Sequence, residues 1–265
     1  MQPIYDFGFQ AFKHAPIFFA LSIGIFIGLG WLFGRHRIKR YGGTGVVVRE
    51  SLVAAIFGLS ALVLSFSFSG ASNRYDVRIE NMRTQANAIR DVYQSINYLQ
   101  PQDQSNIKKQ LINLIHLRLA AYQNLQSMND IDVGSEKLSV QLRKITENVI
   151  EASSNASPAN KQMVGEILMP QMRNLVAVFN VGVVKTKSHP PLLVLRFLYV
   201  LLCMGALLIG YTMAVKNEND WFLAVTYVVL MGFGLYVILS LEFPNLLMSY
   251  EEFNKDLLIL GNSLK

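Results

Sequence analysis

The residues best placed to do chemistry share one stripe of one apolar segment. Ala54, Gly58, Ala61, Ser65, Ser69 and Ser72 recur three and four apart within SLVAAIFGLSALVLSFSFSGASN. A helix over 51–73 carries them on one face. A small stripe lets neighbouring helices approach closely, with serines bonding across the contact. It can also line a narrow polar path for ions where several copies surround an axis. Packing is the commoner use. Phe57, Leu64 and Phe68 fall on another face and read as core or lipid contacts, forming a hydrophobic constriction only if that face turns to the axis. Just beyond stand Arg74 and Arg78, whose charges would give such a path an electropositive mouth.

A second constellation is ionic. Segments 16–34, 51–73, 190–215 and 221–241 contain a single charge, Arg196. It lies about six residues inside its segment, roughly 9 Å of helix rise. A charge there is costly and is usually paired or snorkels to the interface. Glu242, at the exit of the last segment, falls on the same membrane side because that segment runs back. An intramembrane Arg196–Glu242 pair is therefore expected, with snorkelling as the competing account.

Other chemistry is not written in the chain. It contains no HExxH, CxxC, P-loop or GxGxxG pattern. His14, His36, His116 and His189 stand far apart, so neither a metal nor a cofactor is expected. No histidine and carboxylate are placed to activate a serine. Glu251 and Glu252 are adjacent, and adjacent helical residues do not face each other. One cysteine, Cys203, excludes a disulfide framework within one chain. The chain reads as a non-enzyme.

The elements that must position these residues follow from composition. Of 265 residues 52% are hydrophobic and 16% charged, well below the roughly 25% charged of soluble domains. The deficit is concentrated in the four segments, each long enough to cross a bilayer as a helix. The first is followed, not preceded, by its basic residues Arg35, Arg37, Lys39 and Arg40, the reverse of a signal peptide. Its Gly24 and Gly28 form a GxxxG pattern that allows close helix contact, although glycine is also simply common in spanning helices.

The expected architecture is an all-α membrane protein, four transmembrane helices split 2+2 around a helical middle domain. Residues 1–73 hold the first two spans (16–34 and 51–73), 74–189 a soluble four-helix domain, 190–243 the third and fourth spans (190–215 and 221–241), and 244–265 an amphipathic C-terminal helix. The second span runs on without a break into a helix with Met82, Ala86, Ile89, Tyr93 and Ile96 on one face, with Gly70 a candidate kink, and Gln100-Pro101 ends it. The next helix, about 103–127, carries Ile107, Leu111, Leu114 and Tyr122, interrupted by Arg118. A polar turn over 129–135 leads to Ser135, read as the cap of a helix with Leu138, Leu142, Ile145 and Val149. Ser157-Pro158 opens a fourth helix, which Pro170 kinks or restarts. The tail stripe of Leu246, Tyr250, Phe253, Leu257 and Leu260 suits the membrane surface or the middle domain.

The net charge of +6 comes from dispersed or span-flanking residues, which anchor to the lipid bilayer rather than bind nucleic acid. The connection 35–50 holds five basic residues. That places it inside, with the N-terminus, middle domain and C-terminus outside, in a multi-pass membrane protein. Arg74, Arg78, Arg83, Lys185 and Lys187 pull the other way.

Several blocks resemble the bestrophin-like domain family, uncharacterised and mostly bacterial four-span membrane proteins. They are SFSGASNRYDVR (67–78), QANAIRDVY (85–93), LINLIHLRLAAY (111–122), PPLLVLRFLYVLL (190–202) and LEFPNLLMSYEEFNKDLLILGNSL (241–264). The family usually has glutamate at the position of Gln85, and an acidic residue, a basic one and proline where this chain has Glu242, Phe243 and Pro244. The resemblance implies kinship with bestrophins, pentameric anion channels whose pore is lined by the second span and whose middle domain is cytoplasmic, against the charge-based orientation. The function expected is a homo-oligomeric, anion-leaning channel that conducts inorganic anions. The alternative is a non-conducting scaffold or sensor whose middle domain binds a partner. A transporter has less support, because no repeat or broken-helix pair is visible.

Overall fold

A computed structural model describes residues 2–42, 48–123, 128–186, 192–218 and 220–264. Among them there is no strand. The protein is an all-α membrane protein with four helices long and apolar enough to span a bilayer. These are α1 (Gln2–Tyr41), α2 (Glu50–Ser95), α7 (Leu192–Lys216) and α8 (Trp221–Glu242). Between them lie α3 (Pro101–Gln123), α4 (Met128–Ser154), α5 (Lys161–Met163) and α6 (Met169–Thr186), and after them α9 (Pro244–Leu247), α10 (Tyr250–Phe253) and α11 (Lys255–Ser263).

The chain divides into two compact units. The membrane unit, Ala11–Arg74 with His189–Phe243, has a core of Ile23, Ile27, Ala71, Leu198, Leu202, Ala206, Leu235 and Ile238. Its helices meet through small residues, because lipid is as apolar as leucine and close packing must supply the attraction. At the α1–α7 crossing, a Cβ on Gly30 would overlap the carbonyl oxygen of Leu207 and lie 3.0 Å from the Tyr211 nitrogen. One on Gly210 would overlap the carbonyl of Ile27 and lie 2.8 Å from the Trp31 nitrogen. Gly34 faces Ala214 and Tyr211. Gly24 and Gly28, the pattern expected to make a close contact, have nothing near their absent Cβ positions. The contact belongs to the next pattern along the helix, Gly30–Gly34, which points at α7.

The second unit comprises Tyr75–Ser188 and Pro244–Lys265, with Met1–Gln10. The expected stripes supply its core: Met82, Ala86, Ile89 and Ile96 from α2 and the 3-10 turn that follows, Ile107, Leu111 and Leu114 from α3, Leu138, Leu142, Ile145 and Val149 from α4, and Leu175 and Phe179 from α6. Each of the larger side chains among these contributes about 1.5–3 kcal/mol by leaving water. The side chain of Tyr122 and residues 124–127 lie outside the described set.

Two local expectations change. Residues 129–135 are helix, and Ser135 caps nothing: its hydroxyl donates to the Ile131 carbonyl at 2.7 Å inside α4. Gly134 marks a close approach rather than a turn, since a Cβ there would sit 3.1 Å from Ala121 Cβ on α3. Pro170 stands in the first turn of α6, directly after the π-helical stretch Val164–Leu168, so the regular helix restarts at the proline as expected, where its missing donor costs least. The tail is three short helices, not one. Ser249, in extended conformation, starts α10 by accepting the Glu252 amide at 3.3 Å, and Asn254 divides α10 from α11. Phe253, Leu257 and Leu260 are buried in the core of the same unit.

Candidate functional site

The helical repeat of about 100° per residue divides the membrane half of α2 into three faces roughly a third of a turn apart. Ser60, Ser67 and Ala71 face inward and are buried. The two serine hydroxyls donate to their own helix at Ile56 and Val63, both at 2.8 Å. Leu52, Leu59, Leu62 and Phe66 form a bulky face, all of them exposed. The third face is the small stripe: Ala54, Gly58, Ala61, Ser65 and Ser69 are exposed and Ser72 is half-buried. Within one chain only 6% of the most apolar stretch of α2 is buried, against 39% for α7. Phe68 is exposed and flanks the stripe, whereas Leu64 packs on the core and Phe57 meets the Tyr227 ring edge-on at 5.8 Å.

Helical register places Arg74 and Arg78 on the side of α2 away from that stripe. Arg78 is buried. Arg74 is spent on Glu242, its Nε donating to Oε2 at 2.8 Å. Gly70 makes room for this. A Cβ there would lie 3.3 Å from Arg74 Nη1, and α2 runs through the glycine as one helix. The expected Arg196–Glu242 pair is therefore replaced by Arg74–Glu242. Arg196 is exposed, over a recess lined by Phe19, Leu195, Tyr199, Leu235, Ile238 and Leu239. Partners are chosen by azimuth as well as by position along the helix, and α2 offers Glu242 the nearer cation. At the other end of the spans, Lys216 pairs with Glu50 at 2.6 Å, exposed and energetically minor.

His14, His36 and His116 are exposed and separate, and His189 lies outside the described residues. Among the described residues no three His, Cys, Asp or Glu side chains cluster as metal ligands.

No protein-family profile and no curated protein matches the sequence. Solved structures match the fold. The crystal structure of a single-substitution variant of a bacterial bestrophin homologue from Klebsiella pneumoniae aligns with a TM-score of 0.70 at 13% identity, covering 94% of this chain and 98% of that one. The fold is bestrophin-like. A second structure of a bacterial bestrophin homologue from Klebsiella pneumoniae, phased by Zn-SAD, gives 0.66 at 13% identity over 93% and 98% of the two chains. A variant described only as a membrane protein gives 0.64 at 14% identity, again over 93% and 98%.

At such identity the bestrophin-like likeness is one of helix arrangement, and buried polar contacts help to hold that arrangement in this chain. One was read from sequence as a blemish. Arg118, the interruption in the α3 stripe, is 4% exposed, and its Nε donates to Gln85 Oε1 at 2.9 Å while Nη2 lies 3.1 Å from Met82 Sδ. Gly182 on α6 supplies the space above them: a Cβ there would overlap the Gln85 amide and lie 2.7 Å from Asn81 Nδ2. The legible signal was Asn81, Gln85 and Arg118 recurring in register with core positions of their own helices. Buried polar groups placed like this must be bonded to one another or to backbone.

Proposed function

We propose that the chain is one subunit of a homo-oligomeric membrane ion channel, leaning towards anions, with the small face of α2 lining the path. The observation that carries this is the exposure of that face. A span that leaves Ser65 and Ser69 uncovered while burying Ser60 and Ser67 has its outward hydroxyls available for something other than its own fold. The bulky face a third of a turn away suits lipid, so the small face is the one to turn towards other copies and a shared axis. Bestrophin homologues are oligomeric membrane anion channels, and their assembly would make this one a pentamer. Gly58 and Ala61 leave width, Ser65, Ser69 and Ser72 offer hydroxyl donors to a partly dehydrated anion, and Phe68 narrows the path beside them.

Full-length protein in chloride-loaded liposomes is expected to release chloride above the level of empty liposomes. Ser69→Leu is expected to cut that flux about tenfold, the rate equivalent of losing one hydrogen bond of ~1.4 kcal/mol at the narrowest point. Phe66→Leu, on the lipid face, leaves the flux near wild type. Absence of flux, or equal effects of the two substitutions, sinks the assignment of this face.

The basic connection 35–50 sets the orientation, with that loop in the cytoplasm and the C-terminus outside, in the bacterial inner membrane. Alkaline phosphatase fused after Lys265 is then expected to be active, and an inactive fusion of a well-expressed protein reverses the orientation.

A further inference from the structure

Arg196 is the one charge in the four apolar segments and does not pair with Glu242, which holds Arg74. It is the fifth residue of α7, about 6 Å of rise from Leu192, so its long side chain reaches the headgroup layer. The residue is exposed, and it lines a recess built by three helices, with Phe19 from α1, Leu195 and Tyr199 from α7, and Leu235, Ile238 and Leu239 from α8. The Phe19 and Tyr199 rings stand 5.2 Å apart in its wall. Among the described residues no carboxylate lines it.

We propose that Arg196 and this recess bind an anionic membrane phospholipid, its phosphate on the guanidinium and the head of one acyl chain against the apolar wall. The complementarity is in charge and in shape. A lone cation at headgroup depth, uncompensated within its recess and floored by hydrocarbon, matches a phosphate carried on an alkyl chain. Arginine's planar fork engages phosphate oxygens in pairs. Snorkelling to water alone would satisfy the charge but leave the recess unused. A lipid with a net negative headgroup is favoured over phosphatidylcholine, whose own cation answers its phosphate. This site does not depend on whether the protein conducts ions.

Native mass spectrometry of the full chain in mild detergent tests it, with phosphatidylglycerol, phosphatidylcholine and inorganic phosphate offered as separate probes. Phosphatidylglycerol is expected to be retained about tenfold over phosphatidylcholine, an advantage of the size of one charge-assisted contact. Arg196→Ala removes that preference, and Arg196→Lys, which keeps the charge but not the fork, holds an intermediate one. Leu239→Trp fills the recess with the arginine intact and lowers retention of phosphatidylglycerol. Equal retention of the two lipids overturns the proposal, as does a preference unchanged in Arg196→Ala. Displacement of phosphatidylglycerol by inorganic phosphate at equal concentration also overturns it, showing a free-anion site instead.

Discussion

Arg74→Ala is expected to lower the apparent melting temperature of the detergent-solubilised protein by about 10 °C, the equivalent of ~3–5 kcal/mol for one partner removed from a buried ion pair in a chain of this size. Glu242→Ala is expected to cost clearly less. Coulomb attraction between the two groups is the same whichever is deleted, so access to water decides. The Glu242 side chain is 1% exposed and that of Arg74 27%. Without Arg74 the carboxylate keeps only its other contacts in a site water hardly reaches, whereas without Glu242 the guanidinium can turn to solvent. Replacing both, Arg74→Met with Glu242→Leu, is expected to recover most of the loss, because an apolar pair of similar volume has no charge to desolvate. Thermal scans of the three variants in one detergent decide it. A shift under 2 °C for Arg74→Ala, or a double variant as unstable as the singles combined, would show that the pair does not act as a unit.

The sequence pattern revealed what depends on neighbours along the chain and missed what depends on rotation between helices. Four spans, the continuation of α2 past Asn73 and the stop at Gln100-Pro101 all follow from local hydropathy, periodicity and proline sterics. So did the core face of each middle helix. Counting residues from the end of a span leaves the azimuth of its side chains open, and Arg74 takes the carboxylate of Glu242. The same limit explains the arginine mouth. Arg74 and Arg78 follow the serine stripe closely in sequence, but five and nine residues beyond Ser69 place them on the opposite side of the helix. Arg118 was seen as a defect in a stripe, since nothing local shows that Gln85, 33 residues earlier, waits across the core. The tail kept its apolar face but not its length, because Ser249 and Asn254 re-aim the chain with caps worth no more than a kcal/mol or so.

Glycine at the α1–α7 crossing carries the other large expected effect, and its sign separates two readings of one motif. Gly30→Ala and Gly210→Ala each place a methyl onto a main-chain carbonyl of the facing helix, Leu207 and Ile27 respectively. A carbonyl in a helix ladder cannot rotate aside as a side chain can, so the helices must part and lose packing along the whole crossing. The expected loss is about 3 kcal/mol or more, the upper end of overpacking costs. Gly34→Ala should cost less: its methyl would come within 2.7 Å of the Ala214 Cβ and 3.0 Å of the Tyr211 carbonyl oxygen, a clash that a smaller displacement relieves than the overlaps with main-chain carbonyls at Gly30 and Gly210. At Gly24 and Gly28 nothing stands in the way. Alanine there is expected to be neutral or to stabilise by up to ~1 kcal/mol through helix propensity. Melting temperatures of the five single variants should therefore fall in the order Gly28 and Gly24 highest, then Gly34, then Gly30 and Gly210. A spacing argument that assigns the contact to Gly24 and Gly28 predicts the reverse order, and losses at those two glycines with none at Gly210 would move the α1–α7 contact by nearly two turns of helix.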